Sequence, residues 1–471
     1  MDELYDLLGI PKTDGIEKLL EALRQGKDKY KNNIIQKAKK ELDPAKHDIM
    51  NPFLRNRKRK SKKRDEIKNY NNIALAYQKL IVKKEKAMIF GNTPLLKANI
   101  DQGNETQKNI LKAIERILHD NKESSFNRKI AESVGSYTEG GEIWYMKTKE
   151  EKHSSYGFDT DIDVKVMQLT PKDGEKYYTY KDGYGDLIAF SRNYSKKENG
   201  KDVDYFEIYT SNKTYLLSKN SSDWELVSTY PQKQILKKIP VVFAEQDFTS
   251  WYDVQGMIDR LEILLSDHAE VNDRNAYPIL IVEGSLQGEL EKGPGGGLKI
   301  TKDSKVSYLS WAQATDSIKL EIENLIKNIL LFTQTSNISF EEVKSLGALS
   351  GTALKMLFLD AHLKVMEKRE IYDEYLQRRI NIIKRILATL NPQWKKEIDN
   401  MIIEPEIIPF MVENEKEQVE IALLKNGNKP LESHKKSVKD WQGQDTEDYE
   451  QIKKEEKETA NASYFSSEEV E

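Results

Sequence analysis

The chain has 471 residues, 38% of them hydrophobic and 32% charged, with a formal net charge of only −4. A chain of this length holds about two to four compact domains, and its balanced charge singles out no polyanionic partner. It contains no cysteine, which excludes disulfides, thiolate metal sites and cysteine nucleophiles, and no run approaches the ~18 apolar residues of a membrane helix.

The first residues, MDELYDLLGIPKTDG, are acidic and mixed and lack the basic-then-apolar order of a signal peptide. Residues 1–54 alternate helical pattern with charge, and the two prolines of Glu41–Phe53 read as an irregular connector. The stretch RNRKRKSKKR follows, with Arg55, Arg57, Lys58, Arg59, Lys60, Lys62, Lys63 and Arg64. It fits either a solvated arm or a contact patch for nucleic acid or another partner. From Asp65 to Phe90, Ile67, Tyr70, Ile73, Leu75, Tyr77, Leu80 and Ile81 recur at helical spacing, and Gly91 marks the stop. Asn104–His119 predicts a second amphipathic helix, with Ile110, Ala113, Ile114 and Ile117 on one face.

Residues 135–243 change character. EIWYMKT, DIDVKVMQL, YYTYKD, LIAFSRNY, VDYFEIYT, KTYLLSK and WELVS are short runs rich in aromatic and β-branched residues, each bounded by turn formers. That is the pattern of an antiparallel meander, and it closes with PVVFAEQ after Ile239. Helical spacing returns with Trp251, Val254, Ile258, Leu261, Leu265, His268 and Val271 on one stripe. Two strand-like pieces, YPILIVEG and KVSYLSW, then flank a hairpin tip with Glu291, Lys292, Gly295 and Gly296. Asp316–Thr333 predicts another helix, through Ile318, Ile322, Leu325, Ile326, Ile329 and Leu330. A glycine-edged loop around Gly347–Gly351 leads to Thr352–Leu390, which has neither proline nor glycine. At 1.5 Å per residue that helix is a rod on the order of 55–60 Å. Beyond Asn391 come one more strand and helix, and the acidic C-terminal stretch is expected to be poorly ordered.

Catalytic signals are weak. Asp159, Asp161 and Asp163 alternate on one strand face and could hold a divalent metal, as in a nucleic-acid-processing enzyme. An EF-hand is excluded, because the sixth position is not Gly and Thr170 stands at the twelfth. The run GPGGG lacks the Lys-Ser/Thr of a phosphate loop, and no GxSxG, HExxH or kinase set occurs. We therefore expect no enzyme activity and no cofactor.

The order of helix, small α/β excursion, helix, flexible loop and very long helix is distinctive. With IPVVFAEQ, DVQGMIDRLEILLSDHAEVNDRNAYPILIVEG, LSGTALKMLF and LIVKKEKAMIFG, it resembles the portal proteins of tailed bacteriophages, and most of all those of long-tailed phages of Gram-positive hosts. The resemblance covers roughly residues 65–427 and implies an α+β portal fold. Residues 1–240 would form the wing, 241–275 the first stem helix, 276–315 the clip and 316–335 the second stem helix. Residues 336–351 would form the tunnel loop, 352–390 the spine helix, 391–427 a strand and helix returning to the wing, and 428–471 a reduced crown and acidic tail. It further implies a twelve-fold ring at one capsid vertex, assembled in the host bacterial cytoplasm and carried in the virion, that passes double-stranded DNA during packaging and ejection. The implied partners are the terminase large subunit, head–tail adaptors, and the major capsid and scaffolding proteins, with no membrane. In this reading Glu341, Glu342, Lys344, Leu346, Gly347, Leu349 and Gly351 face the DNA. Ile258, Leu261, Leu265, Ile322, Leu325 and Ile329 line subunit contacts in the stem, and the clip tip meets the motor and adaptors.

Overall fold

A computed structural model describes residues 1–51, 71–101, 103–220, 223–275, 280–283, 305–308, 315–336, 356, 358–410, 415–427, 433–442 and 449–457. The chain divides into two units, Met1–Asn337 with Asp360–Phe410, and Ile338–Leu359 with Met411–Glu471.

In the first unit, three helices open the chain: α1 (Asp2–Leu8), α2 (Gly15–Arg24) and α3 (Asp28–Leu42). Gly9, at φ 64°, closes α1 in the left-handed conformation that a side chain with a Cβ resists. The apolar faces of α1 and α2 present Leu4, Leu8, Leu19, Leu20 and Leu23 to Phe206, Ile208, Tyr215, Leu217 and Trp224 of the sheet described below, so these helices cap a β-layer.

Helix α4 (Tyr77–Phe90), strand β1 (Leu95–Ala98), α5 (Glu105–Asp120) and α6 (Glu123–Tyr137) follow. Helical spacing predicts that α4 begins near Asp65; residues 71–76 are instead irregular. Their amides are engaged elsewhere: the Ile73 and Leu75 N–H groups donate to Ser266 Oγ and Glu262 Oε1 at 2.9 and 2.8 Å. Asn104 caps α5 as its composition suggests, its Oδ1 accepting from the Gln107 N–H at 3.1 Å.

The meander forms two antiparallel sheets rather than one. Strands β2 (Glu139–His153) and β3 (Thr160–Leu169) pair, and β10 (Val241–Glu245) flanks β2, giving the order β10-β2-β3. Strands β4 (Lys176–Lys181), β5 (Leu187–Glu198), β6 (Lys201–Thr210), β7 (Lys213–Asn220) and β8 (Asp223–Leu226) run in sequential order, and β9 (Gln232–Lys233) adds to β7. Asn199 and Gly200, both at positive φ, make the two-residue turn between β5 and β6. Ile143 and Leu169 pack with Tyr177, Phe190 and Tyr209, which joins the two sheets through a shared apolar layer.

After β10 a short 3-10 turn, Tyr252–Val254, leads into α7 (Gln255–Asn275). Strands β11 (Leu280–Glu283) and β12 (Lys305–Tyr308) pair antiparallel, and α8 (Thr315–Phe332) runs back along α7. The 32-residue α9 (Leu359–Leu390) is about 48 Å long. Its buried face carries Val365, Tyr372, Leu376, Ile380, Ile383 and Leu387, the register its sequence predicts. Helix α10 (Lys395–Asn400) precedes β13 (Ile403–Glu406), which returns to pair with β1. In the second unit the described residues include α11 (Glu415–Lys425) and α12 (His434–Gln442), and α11 leaves Leu423 and Leu424 exposed.

Candidate functional site

The helical hairpin of α7 and α8 is the centre of the site. Trp251, Val254, Ile258, Leu261 and Ile329 are buried together with Ala38 of α3 and Ile81 and Val82 of α4. Leu265, Ile322, Leu325 and Ile326 pack against that cluster while keeping some surface. Of the six residues expected at subunit contacts, Ile258, Leu261 and Ile329 therefore have no free surface in the single chain (0% each), and Leu265, Ile322 and Leu325 do. Arg260 and Glu321 pair across the hairpin at 2.8 Å and fix its antiparallel register.

Residues 71–76 and the segment after α3 dock on α7 through buried polar contacts. His47 Nδ1 lies 2.6 Å from Glu262 Oε1, and its Nε2 lies 2.7 Å from the Glu41 carbonyl. Burial acts to lower the His47 pKa; the hydrogen bonds it makes to the Glu262 carboxylate and the Glu41 carbonyl outweigh it, and the imidazole sits above its ordinary range. Burial raises the carboxyls of Glu41 and Asp259 beside it. Trp251 Nε1 donates to Glu41 Oε2 at 2.8 Å.

The two chain ends that flank residues 337–359 are held by one buried cluster. Lys364, in the first turns of α9, lies 2.8 Å from Glu85 Oε2 of α4 and donates to the Thr333 carbonyl, just past α8, at 2.9 Å. Ser250 Oγ donates to Glu85 Oε1 at 3.0 Å. Burial acts to raise Glu85; the ammonium charges of Lys364 and Lys368 and the hydrogen bonds from Lys364 and Ser250 outweigh it, and the carboxyl stays below the ordinary carboxylate range. The cluster joins the exit of α8 to the entry of α9.

Further along α9, Arg379 is 1% exposed and makes a two-pronged contact with Glu142 of β2 at 2.8 and 2.7 Å. Asn127 Oδ1 accepts from Arg379 Nη1 at 2.6 Å, and Trp144 Nε1 donates to Glu142 at 2.8 Å. A planar guanidinium matches a carboxylate in this way, and the contact fixes the long helix against the β-layer.

The acidic strand face is arranged differently from a metal site. Asp163 Oδ2 pairs with Lys149 at 3.0 Å and Lys165 at 3.4 Å, and its Oδ1 lies 3.3 Å from His153 Nε2. Burial acts to raise that carboxyl, and the two lysines outweigh it and hold it low. Asp159 and Asp161 are exposed, and among the described residues no group of three His, Asp or Glu could hold a metal ion. Lysines thus occupy the one carboxylate of the three that is partly buried.

Other expected positions lie outside the described residues: Arg55–Arg64, the clip-tip residues Glu291, Lys292, Gly295 and Gly296, and the loop residues Glu341, Glu342, Lys344, Leu346, Gly347, Leu349 and Gly351. No described helix is long and apolar enough to cross a membrane. Sequence reading missed the Glu85–Lys364 and Arg379–Glu142 pairs; only the placing of Lys364 and Arg379 between apolar positions of a long helix hinted at them.

Among the solved structures to which the chain is similar are two particle necks. The "Neck of empty GTA particle computed with C6 symmetry" is 8% identical, covers 77% of this chain and 88% of that chain, and gives a TM-score of 0.39. The "Neck of native GTA particle computed with C12 symmetry" is 8% identical, with 77% and 87% coverage and a TM-score of 0.38. No curated protein matches. The family model "Phage portal protein, SPP1 Gp6-like" matches residues 11–462. Nearly the whole length is thus accounted for by one pattern, and the chain belongs to the SPP1 Gp6-like family of phage portal proteins.

Proposed function

We propose that copies of this chain close into a ring of twelve at one vertex of a phage capsid, and that the ring is the passage for double-stranded DNA during packaging and ejection. The observation that carries this reading is the family match over residues 11–462. Residues 1–240 with 391–427 act as the wing, α7 and α8 as the stem, β11 and β12 as the base of the clip, and α9 as the spine. The segment between α8 and α9 leans into the bore from its clamped ends, with Leu346 and Leu349 touching the next copy's loop. Gly347 and Gly351 give that loop its freedom to bend. Lys344 beside Glu341 and Glu342 touches phosphate weakly and without regard to sequence, as a conduit that lets DNA slide requires. The clip tip docks the terminase large subunit and later the head–tail adaptors. The basic stretch Arg55–Arg64 contacts DNA or a capsid or scaffolding partner.

Head-to-tail contacts close a ring when the rotation between neighbours divides the circle. The partly buried Leu265, Ile322 and Leu325 face the neighbouring stem, backed by Ile258, Leu261 and Ile329. Light scattering of the purified chain tests this: the native protein gives one large, fixed mass, and Leu325→Asp reduces it to single chains that keep their helical circular dichroism. A native protein that stays single at every concentration overturns the reading. The reading of Asp159, Asp161 and Asp163 as a nuclease centre gains no support from the lysine-paired Asp163.

A further inference from the structure

Large apolar side chains left exposed together mark a surface that meets something else. Between α3 and the start of α7 lies a cleft of about 240 Å³ whose walls include Tyr30, Ile34, Lys37, Asp247, Phe248 and Tyr252. Phe248 and Tyr252 stack with ring centroids 4.3 Å apart, and the Lys37 ammonium lies 5.6 Å from the Tyr252 ring centre. Yet Tyr30, Phe248 and Tyr252 are 58%, 55% and 49% exposed. Among the described residues this is a preformed aromatic shelf that no other part of the chain covers.

A second exposed patch lies on α8, where Leu331 and Phe332 are 51% and 59% exposed. The hairpin register relates the two patches. Arg260 pairs with Glu321 partway along it, and Val254 and Ile329 share one core cluster nearer the start of α7. The same antiparallel register sets Tyr252 level with the Leu331–Phe332 end of α8. The two patches therefore stand at one height along the hairpin but on different helices. Rotation about an axis running along the hairpin preserves height, so in copies related by such a rotation the two patches stay level with each other. Heterologous contacts need two different patches on each copy, related in this way. Charge agrees: Lys327, one turn before Leu331, is exposed, and Asp247 and Asp253 are exposed beside the shelf.

We infer that the occupant of the shelf is a second copy of this chain, with Leu331 and Phe332 of one copy seated on Phe248 and Tyr252 of the next. This rests on the ring proposed above and deepens it by naming the contact. Leu363 and Met366 of α9 are also exposed near this end, since Lys364 between them reaches the Thr333 carbonyl, and they form the competing face.

The cysteine-free sequence makes the test direct, because introduced thiols are the only ones present. Tyr252→Cys and Phe332→Cys are placed in one chain, and the protein is oxidised mildly and run on a non-reducing gel beside the pair Tyr252→Cys with Met366→Cys. The inference predicts loss of the monomer band and a ladder of multiples from the first pair only, collapsing on reduction. In the otherwise native chain, Phe332→Glu abolishes the large mass in light scattering while the circular dichroism stays native. The inference is overturned by a first pair that stays monomeric on the gel while light scattering shows the large assembly, by a ladder from the Met366 pair alone, or by full assembly of Phe332→Glu. In those results the ring itself survives; a native chain that never assembles removes the ring reading along with this contact.

Discussion

At the scale of single residues, Arg379 and Glu142 form a two-pronged ion pair with both side chains out of water. Two charges taken out of water cost free energy that their mutual contact and their hydrogen bonds must offset, and removing one partner leaves the other buried alone. Arg379→Met should therefore destabilise the chain by about 3–5 kcal/mol, read as a lower midpoint in denaturant unfolding followed by tryptophan fluorescence. Restoring the charge balance with Glu142→Gln in the same chain should recover part of the loss. His47 gives the second residue-level prediction. Its pKa is raised on folding, so its contribution to docking on α7 is full below the unfolded value of about 6.5 and is lost as pH rises through the higher folded value. The raised carboxyls of Glu41 and Asp259 act with the same sign, since their ionisation disfavours the docked state as pH rises from about 4 upward. Protection of residues 41–50 against hydrogen exchange, taken relative to the intrinsic exchange rate at each pH, should therefore fall from pH 6 to pH 9, and His47→Gln should flatten that dependence above about pH 6.5. Neither pair was legible in the sequence, because Arg379 stands 237 positions from Glu142 and His47 stands 215 from Glu262.

At the scale of elements, legibility followed periodicity. The long helix was readable because its apolar positions keep a single register to Leu390, and the strands because aromatic and β-branched residues sit between turn formers. Helix α6 was not, because its inward face carries Asn127, Ser133, Gly135 and Ser136, all buried, where an amphipathic pattern would show large apolar residues. Those small residues permit close approach: a Cβ on Gly135 would stand 2.9 Å from Ser250 Oγ and 3.2 Å from Glu85 Oε1. The start of α4 was misplaced because tertiary hydrogen bonds to α7 outcompete helical ones for the Ile73 and Leu75 amides. The same kind of long-range contact fixes the ends of α8 and α9. Lys364→Met strips Glu85 of its closest cation and the Thr333 carbonyl of its donor. We expect faster hydrogen exchange at residues 329–336 and 360–366 and readier proteolysis between them, with exchange in the β-sheets unchanged; uniform acceleration throughout would show a general loss of stability instead.

At the scale of the whole molecule, the fold class could be read from the alternation of helical and strand-rich stretches, and the family from their order. In the first unit the α7–α8 hairpin packs on α3 and α4 through apolar side chains, while buried ion pairs tie the long helix to the β-layer, through Arg379 and Glu142, and to α4, through Lys364 and Glu85. Such pairs demand one geometry, because each leaves an unpaired buried charge if it slips. Identical copies that must close a circle need that uniformity, since small angular errors accumulate around the ring. On the proposed ring, the apolar surface still exposed on the hairpin and beside α3 would be covered by neighbouring copies.

Electron microscopy of the purified protein tests the central claim most directly. The account predicts annular particles with an axial hole wide enough for a double helix, and a wider hole when residues 340–350 are removed. Solitary particles, open filaments, or rings whose hole is unaltered by that deletion would contradict it.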